Sequence, residues 1–240
     1  MTRLFLVTAA LATSLTFPLT VWGEGFGINA TRLIYPQGER SITATVRNTL
    51  PAQPYLVQAG VSASREGAPS ALFTVTPPLF RLEPNSTNHI RIAGNTGSLP
   101  TDRESVFYFH TRAIPGSQAP ADDKSTAGVS GNVQLGVGNT IKLFYRPSGL
   151  SSTSAQAQKR LQFTRSVRGL RVSNPSPYFV SLAGISVAGQ PLKLDTPGAL
   201  MLSPFGEYTY PTALKAGSVQ VQWKTINDLG GIDAFTHSLP

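Results

Sequence analysis

VQLGVGNTIKLFYRP, residues 133–147, is the stretch from which the rest of the chain can be read. Val133, Leu135 and Val137 alternate with Gln134, Gly136 and Gly138, the period-two signature of a strand with one apolar face. Glycines at alternate positions leave the other face thin, which suits a sheet edge better than a sheet centre. The β-forming run from Ile141 to Pro147 continues the strand, with Lys142, Phe144 and Arg146 on one side and Ile141, Leu143 and Tyr145 on the other. Two readings follow. In the plainer one this is a sandwich strand whose apolar residues face their own core. In the other it is an edge strand that offers its apolar row to another chain, with Lys142 at one end to meet an anion.

The composition sets the frame. Charged residues make up only 13% of the chain, while 22 Gly and 19 Pro supply turns, a balance that leans to all-β. The first 23 residues stand apart: Arg3 is a short basic start, Leu4 to Val21 is apolar, and Val21-Trp22-Gly23 ends in the small residue a signal peptidase reads. Thr, Ser and Pro18 interrupt that run too often for a good membrane span, so residues 1–23 are expected to be a cleaved secretory signal, with the mature start near Glu24. No other apolar run is long enough to span a bilayer, so membrane insertion is not expected. The chain has no cysteine, which removes disulfides, thiolate chemistry and zinc–thiolate sites. The formal charge of +8 (20 basic against 12 acidic) falls to +7 without Arg3. These cations are scattered without basic runs or interleaved aromatics, so nucleic acid is not an expected partner.

Short strands recur along the chain, punctuated by Pro, Gly and Asn. They are expected at Ile28 to Tyr35, Ser41 to Asn48, Pro54 to Val61, Phe73 to Thr76, Leu79 to Leu82, His89 to Ala93 and Val106 to Thr111. Pro115 to Asn132 is polar and small-residue-rich, a long loop before the key strand. Ser148 to Ser154 reads as a linker, after which the pattern restarts at Leu161, Leu170, Tyr178 to Leu182, Ile185 to Val187, Tyr208 to Tyr210 and Val219 to Trp223. The fold class is therefore all-β, two sandwiches without a helix of consequence. The domain expectation is 24–147 for the first, 148–156 for the linker and 157–240 for the second.

Few residues point to chemistry. His89, His110 and His237 are isolated from carboxylates and from one another, so no metal is expected. There is no G-x-S-x-G elbow, and Gly136 and Gly138 lack the strand–turn–helix context of a phosphate cradle. Asp122-Asp123 sits in the long loop, where a solvated pair is the ordinary outcome. Asn29-Ala30-Thr31 and Asn85-Ser86-Thr87 match glycosylation acceptors, which carry meaning only in a host that glycosylates. Neither an enzyme nor a cofactor is expected.

A resemblance sharpens this. Leu99-Pro100-Thr101-Asp102-Arg103-Glu104-Ser105-Val106-Phe107-Tyr108-Phe109, continuing through Arg112-Ala113-Ile114-Pro115, closely resembles the signature of the periplasmic pilus chaperones of the chaperone–usher pathway. The match extends through Pro54 to Ala59, Thr76-Pro77-Pro78, Arg81 to Pro84 and Ile141 to Pro147. In the second half it covers Asn174 to Tyr178, Leu202-Ser203-Pro204 and Ile226-Asn227-Asp228-Leu229-Gly230-Gly231. It thus spans nearly the whole mature chain in order.

The resemblance implies two immunoglobulin-like sandwiches in a boomerang (L-shaped) arrangement. It also implies a function: the last strand of the first domain is lent to an incomplete pilin subunit, a mode of strand addition known from chaperone–pilin complexes. Val133, Leu135 and Val137, with Ile141 as a fourth, would fill the groove left by the pilin's missing strand. Arg32 and Lys142 would anchor the pilin's C-terminal carboxylate. Glu104, Arg146 and Asp228 would form an ion network holding the domain angle. The energetics agree: each buried aliphatic contributes roughly 1.5–3 kcal/mol and each charge-assisted hydrogen bond about 1.5–3 kcal/mol. A slip by one residue would present Gln134 and the glycines instead, so the anchor fixes register. The implied partners are pilin (fimbrial) subunits and an outer-membrane usher, in the periplasm, and the exposed edge invites self-association when no guest is bound.

The chain departs from that family in places. The family has Asn and an aliphatic residue where this chain has His110 and Thr111, and it often has a cysteine pair near the end of the second domain. The loop from Gly116 to Asn132 is longer than in short-loop members, yet the disulfide of the long-loop branch is impossible here, so the chain leans to the short-loop branch. Two other function classes stay in view: a pilin or sandwich adhesin, disfavoured by two-domain length and the intact key strand, and a carbohydrate-processing enzyme, disfavoured by the lack of a placed carboxylate pair.

Overall fold

The computed structural model describes residues 25–116 and 135–240, and these form two β-sandwiches. The first contains β1 (Phe26–Ile28), β2 (Arg32–Pro36), β3 (Ser41–Asn48), β4 (Tyr55–Ser62), β5 (Phe73–Thr76), β6 (Leu79–Leu82), β7 (Ser86–Gly94), β8 (Ser105–Pro115) and β9 (Val137–Arg146). One sheet runs β1-β3-β7-β5 and the facing one β2-β9-β8-β4-β6. The inward residues of both sheets interdigitate, with Tyr35, Val46, Val57, Ile90, Ile92, Phe109 and Leu143 fully buried. Phe73 and Phe107 meet edge to face with ring centroids 4.8 Å apart.

Two expectations about the first sandwich need correction. The strand expected from Ile28 to Tyr35 is two strands in different sheets: β1 pairs antiparallel with β3, and β2 pairs parallel with β9. The reason lies in the pattern. The residues packed on the core are Phe26, Ile28 and Ala30 before the break, and Leu33 and Tyr35 after it, so the apolar phase slips by one residue as the chain crosses between sheets. The key strand is ladder-paired only from Val137; Leu135 and Gly136 precede it, and Val133 lies outside the described residues.

The second sandwich contains α1 (Ser154–Lys159), β10 (Gln162–Ser166), β11 (Gly169–Ser173), β12 (Val180–Val187), β13 (Gln190–Pro191), α2 (Pro197–Leu200), β14 (Met201–Leu202), β15 (Glu207–Pro211), β16 (Val219–Ile226) and β17 (Ile232–Leu239). A β10-β11-β15 sheet faces a β13-β12-β16-β17 sheet, with β14 also on β12. Two short helices, of six and four residues, accompany the strands. The first starts at Thr153, whose side chain accepts from Gln156 N–H while the Gln156 side chain accepts from Thr153 N–H, a reciprocal cap written in the sequence as T-x-x-Q. It is held to the core by Trp223, whose Nε1 donates to Gln158 O at 3.0 Å, and by Thr225 Oγ1 on Gln158 Oε1 at 2.5 Å. The segments expected at Tyr178–Leu182 and Ile185–Val187 are one strand, β12, with a bulge between Leu182 and Gly184.

Candidate functional site

The site is organised by β9, which is central along one half and open along the other. β2 pairs with it only from Lys142 to Arg146, in the register Arg32↔Lys142 to Pro36↔Arg146. From Val137 to Ile141 its ladder partner is β8 alone. The plainer reading thus holds in the covered half, and the other half is a sheet edge. In the covered half, Leu143 and Tyr145 lie in the core. In the open half, Leu135 is 80% and Val137 43% exposed, and Ile141 is partly buried against the core. Val137 and Ile141 share a face with Leu143 and Tyr145 because strand residues alternate. Leu135, Val137 and Ile141 are therefore placed as one apolar row that leaves the protein's own core at its upper end and reaches solvent at the other.

The parallel register puts Arg32 and Lys142 on one rung, on strands about 4.8 Å apart. Both side chains turn to the second domain. Lys142 Nζ donates to the buried Ser181 Oγ at 3.2 Å, and an Arg32 terminal nitrogen donates to Ile226 O at 2.8 Å. Arg32 Nε is shut off from solvent and has no hydrogen-bond partner among the described residues. Neither cation takes part in the ion pairs formed among the described residues. Burial, with Arg32 and Arg65 nearby, pushes the Lys142 ammonium down to about 8. Burial also lowers Arg32, against the opposing pull of Asp228 and Glu104. Two half-desolvated cations with donors to spare have the chemistry to hold an acceptor-only anion such as a carboxylate.

Beside this pair lies a closed ion network. Arg146 Nε donates to Glu104 Oε1 at 2.7 Å, and the fork of its terminal nitrogens meets Asp228 at 2.7 and 3.0 Å. Glu104 is buried; its other oxygen accepts from Phe179 N–H at 2.9 Å, and Ser154 Oγ donates to Asp228 at 3.1 Å. The guanidinium also sits over Tyr178, 5.2 Å from the ring centroid. Glu104 and Arg146 belong to the first sandwich and Asp228, Phe179 and Ser154 to the second, so every bond from Arg146 to Asp228 crosses between domains. Burial pushes the Glu104 carboxyl up despite Arg146. Burial pushes Asp228 up as well, but the Arg146 fork outweighs it and the carboxyl titrates below its usual range. Held by both carboxylates, Arg146 stays charged, its pKa raised although burial opposes this.

The described residues assigned site roles in the sequence all fall in this region, and several further contributors went unnoticed there. Ser181, Ile226 O and Phe144 carry no local signal; Phe144 reads as an outward strand position but is 3% exposed because Phe179 packs on it at 5.7 Å between centroids. Gly230 belongs with them. It turns the β16–β17 hairpin at φ +86°, and a Cβ there would lie 2.4 Å from Thr31 Oγ1, so only glycine lets the hairpin meet the first domain at this distance. Away from the cleft, Leu56, Leu79 and Ile114 stand exposed together on the outer face of β4, β6 and β8. Among the described residues no cluster of His, Asp and Glu could hold a metal.

Comparison with known proteins places this geometry. Residues 25–151 match the family model "Pili and flagellar-assembly chaperone, PapD N-terminal domain", and residues 156–237 match "Pili assembly chaperone PapD, C-terminal domain". The probable fimbrial chaperone protein ElfD of Escherichia coli K12 is 36% identical over 229 residues, covering 94% of this chain and 92% of that protein. The crystal structure of the E. coli chaperone DraB is similar with a TM-score of 0.73 at 34% identity, over 89% of this chain and 98% of that one. The Salmonella enterica SafB chaperone, in complex with the SafA pilin, is similar with a TM-score of 0.73 at 30% identity, over 90% of this chain and 97% of that one. With both domain models matched in order, the chain belongs to the PapD family of pilus assembly chaperones, an immunoglobulin-like family without enzymatic activity.

Proposed function

We propose that this chain captures pilin subunits by lending them the open half of β9, and that Arg32 and Lys142 fix each guest by its C-terminal carboxylate. The observation that carries this is the rung Arg32–Lys142: two part-buried cations that form no ion pair among the described residues, at the end of a strand one edge of which is unpaired among them over half its length. A guest strand added along Val137 to Ile141 would satisfy the open backbone edge, and its groove would take the apolar row of Leu135, Val137 and Ile141. Val133, outside the described residues, would extend that row. SafB, which this chain resembles, is seen holding a pilin, and this supports the reading.

Residues 1–23 would direct export, the mature chain starting near Glu24 in the periplasm, and 148–156 would join the two domains. Glu104, Arg146 and Asp228 would hold the angle at which the cleft receives the carboxylate. A carrier also needs a face that its cargo leaves free; Leu56, Leu79 and Ile114 offer one to an outer-membrane usher. In the unloaded protein the same open edge would favour self-association. The test is a pull-down of tagged wild type and an Arg32→Ala/Lys142→Ala variant from the native periplasm, with mass spectrometry of bound chains. A pilin held one-to-one by the wild type and lost from the variant is expected; equal recovery by both would end the anchor reading.

A further inference from the structure

The rung Thr111↔Asn139 of the β8–β9 ladder interrupts the apolar row in the middle of the open segment. On either side of it, the same face carries Phe109↔Ile141 and Ala113↔Val137. Thr111 is 2% exposed and its Oγ1 makes no hydrogen bond among the described residues; Asn139 Nδ2 is also closed to solvent and without a partner among them. The next rung shows that these strands can satisfy polar side chains. On the opposite face His110 Nδ1 pairs with Thr140 Oγ1 at 3.0 Å, and His110 Nε2 pairs with Ser62 Oγ. Valine has nearly the shape of threonine and would leave nothing unpaired at 111. Two polar atoms on one rung left without partners among the described residues call for an explanation; Asn139 lies on the face of β9 assigned above to another chain, and Thr111 sits beside it on β8, between the core residues Phe109 and Ala113.

We propose that Thr111 and Asn139 form a polar subsite within the donated row, which selects guests that place a hydroxyl or carboxamide side chain (Ser, Thr, Asn or Gln) in the groove opposite Asn139. The inference rests on the strand-donation reading. Asn139 Nδ2 donates and the Thr111 hydroxyl donates or accepts, so one hydroxyl or amide oxygen can complete both. An aliphatic groove would leave both unpaired, and a site built to hydrogen-bond rejects such a guest far more sharply than an apolar pocket separates one aliphatic from another. Leu135, Val137 and Ile141 then supply grip, and the polar pair supplies identity.

The test uses the pilin recovered in the pull-down as the probe, with its affinity for wild type, Thr111→Val, Asn139→Val and Val137→Arg, and thermal unfolding of each free chaperone. The two valine variants are expected to bind about 3- to 10-fold more weakly, the worth of one hydrogen bond, while unfolding at the same or a higher temperature than wild type. Thr111→Ser, which keeps the hydroxyl, is expected to bind like wild type. Changing the guest's polar groove residue to valine should erase the difference between wild type and Asn139→Val. Unchanged affinity in both valine variants would overturn the subsite and leave a trapped water as the occupant of the rung. Capture that survives Val137→Arg would instead remove strand donation itself, and the subsite with it.

Discussion

Lys142 should make pilin capture fall with pH in a window where other lysines stay charged. In the free chaperone its ammonium is held down to about 8 by burial and by Arg32 and Arg65. A bound carboxylate favours the charged form, so the complex titrates higher and binding takes up a proton above pH 8. The affinity contributed by Lys142 is thus fully present below pH 8 and is lost as pH rises through it. With a value near 8, the protonated fraction drops from about nine-tenths at pH 7 to about one-tenth at pH 9, a roughly 10-fold or 1.4 kcal/mol loss. The free fold should move the other way. Its folded pKa lies below the unfolded 10.5, so the unfolded chain binds more protons between pH 8 and 10.5 and stability rises across that window. The assay is titration calorimetry of chaperone with purified pilin at pH 7 and 9 in buffers of different ionisation enthalpy, which counts the protons taken up. Lys142→Arg keeps the charge and should flatten the profile. A wild-type profile already flat between pH 7 and 9, or one that Lys142→Arg reproduces, would refute the reasoning.

Other consequences follow from the cleft. Asp228→Asn weakens the part-buried pair that the Arg146 fork holds at 2.7 and 3.0 Å and should cost about 1.5–3 kcal/mol, whereas Glu104→Gln keeps one acceptor but turns an amide N–H donor toward Arg146 Nε or the Phe179 N–H in a buried site and should cost more, about 3–5 kcal/mol; denaturant unfolding in the reverse order would contradict this account. Because Asp228 titrates below its usual range, its contribution to stability is present above the unfolded carboxylate value and disappears as pH falls through the lower folded value; the acid limb of the stability curve should be shallower in Asp228→Asn than in the wild type. Gly230→Ala forces a Cβ against Thr31 and strains a positive φ, for a cost of about 1–3 kcal/mol in Tm measurements, and Thr31→Ala in the same chain should recover the steric part alone. Replacing Leu56, Leu79 and Ile114 together with Ser should leave pilin capture intact and abolish delivery in a reconstituted usher assay; unchanged delivery would free that face of its proposed role.

The alternation of apolar residues is a local property, and it was enough to show two all-β sandwiches and to place most strands. Ser41–Asn48 is β3 as expected, and Phe73–Thr76 and Leu79–Leu82 are β5 and β6. It failed where the local pattern is weak or shifts: β17 is a largely exposed strand with no clean apolar face, and the crossing from β1 to β2 appears only as a one-residue slip of phase. The T-x-x-Q cap of α1 was legible but the helix it starts was overlooked. The candidate site was named from motif resemblance, residue by residue. Its assembly was decided elsewhere. No pattern within residues 133–147 says that β2 covers only the second half of β9, since ladder partners come from distant segments. The parallel pairing that sets Arg32 opposite Lys142, the packing of Phe179 that buries Phe144, and the approach of Ser181 to Lys142 all depend on how the chain folds back or how one domain lies on the other. Sequence determined which faces were apolar, because side-chain alternation is fixed within a strand; tertiary structure decided which of those faces and edges stayed open, because closing them takes a partner from far along the chain.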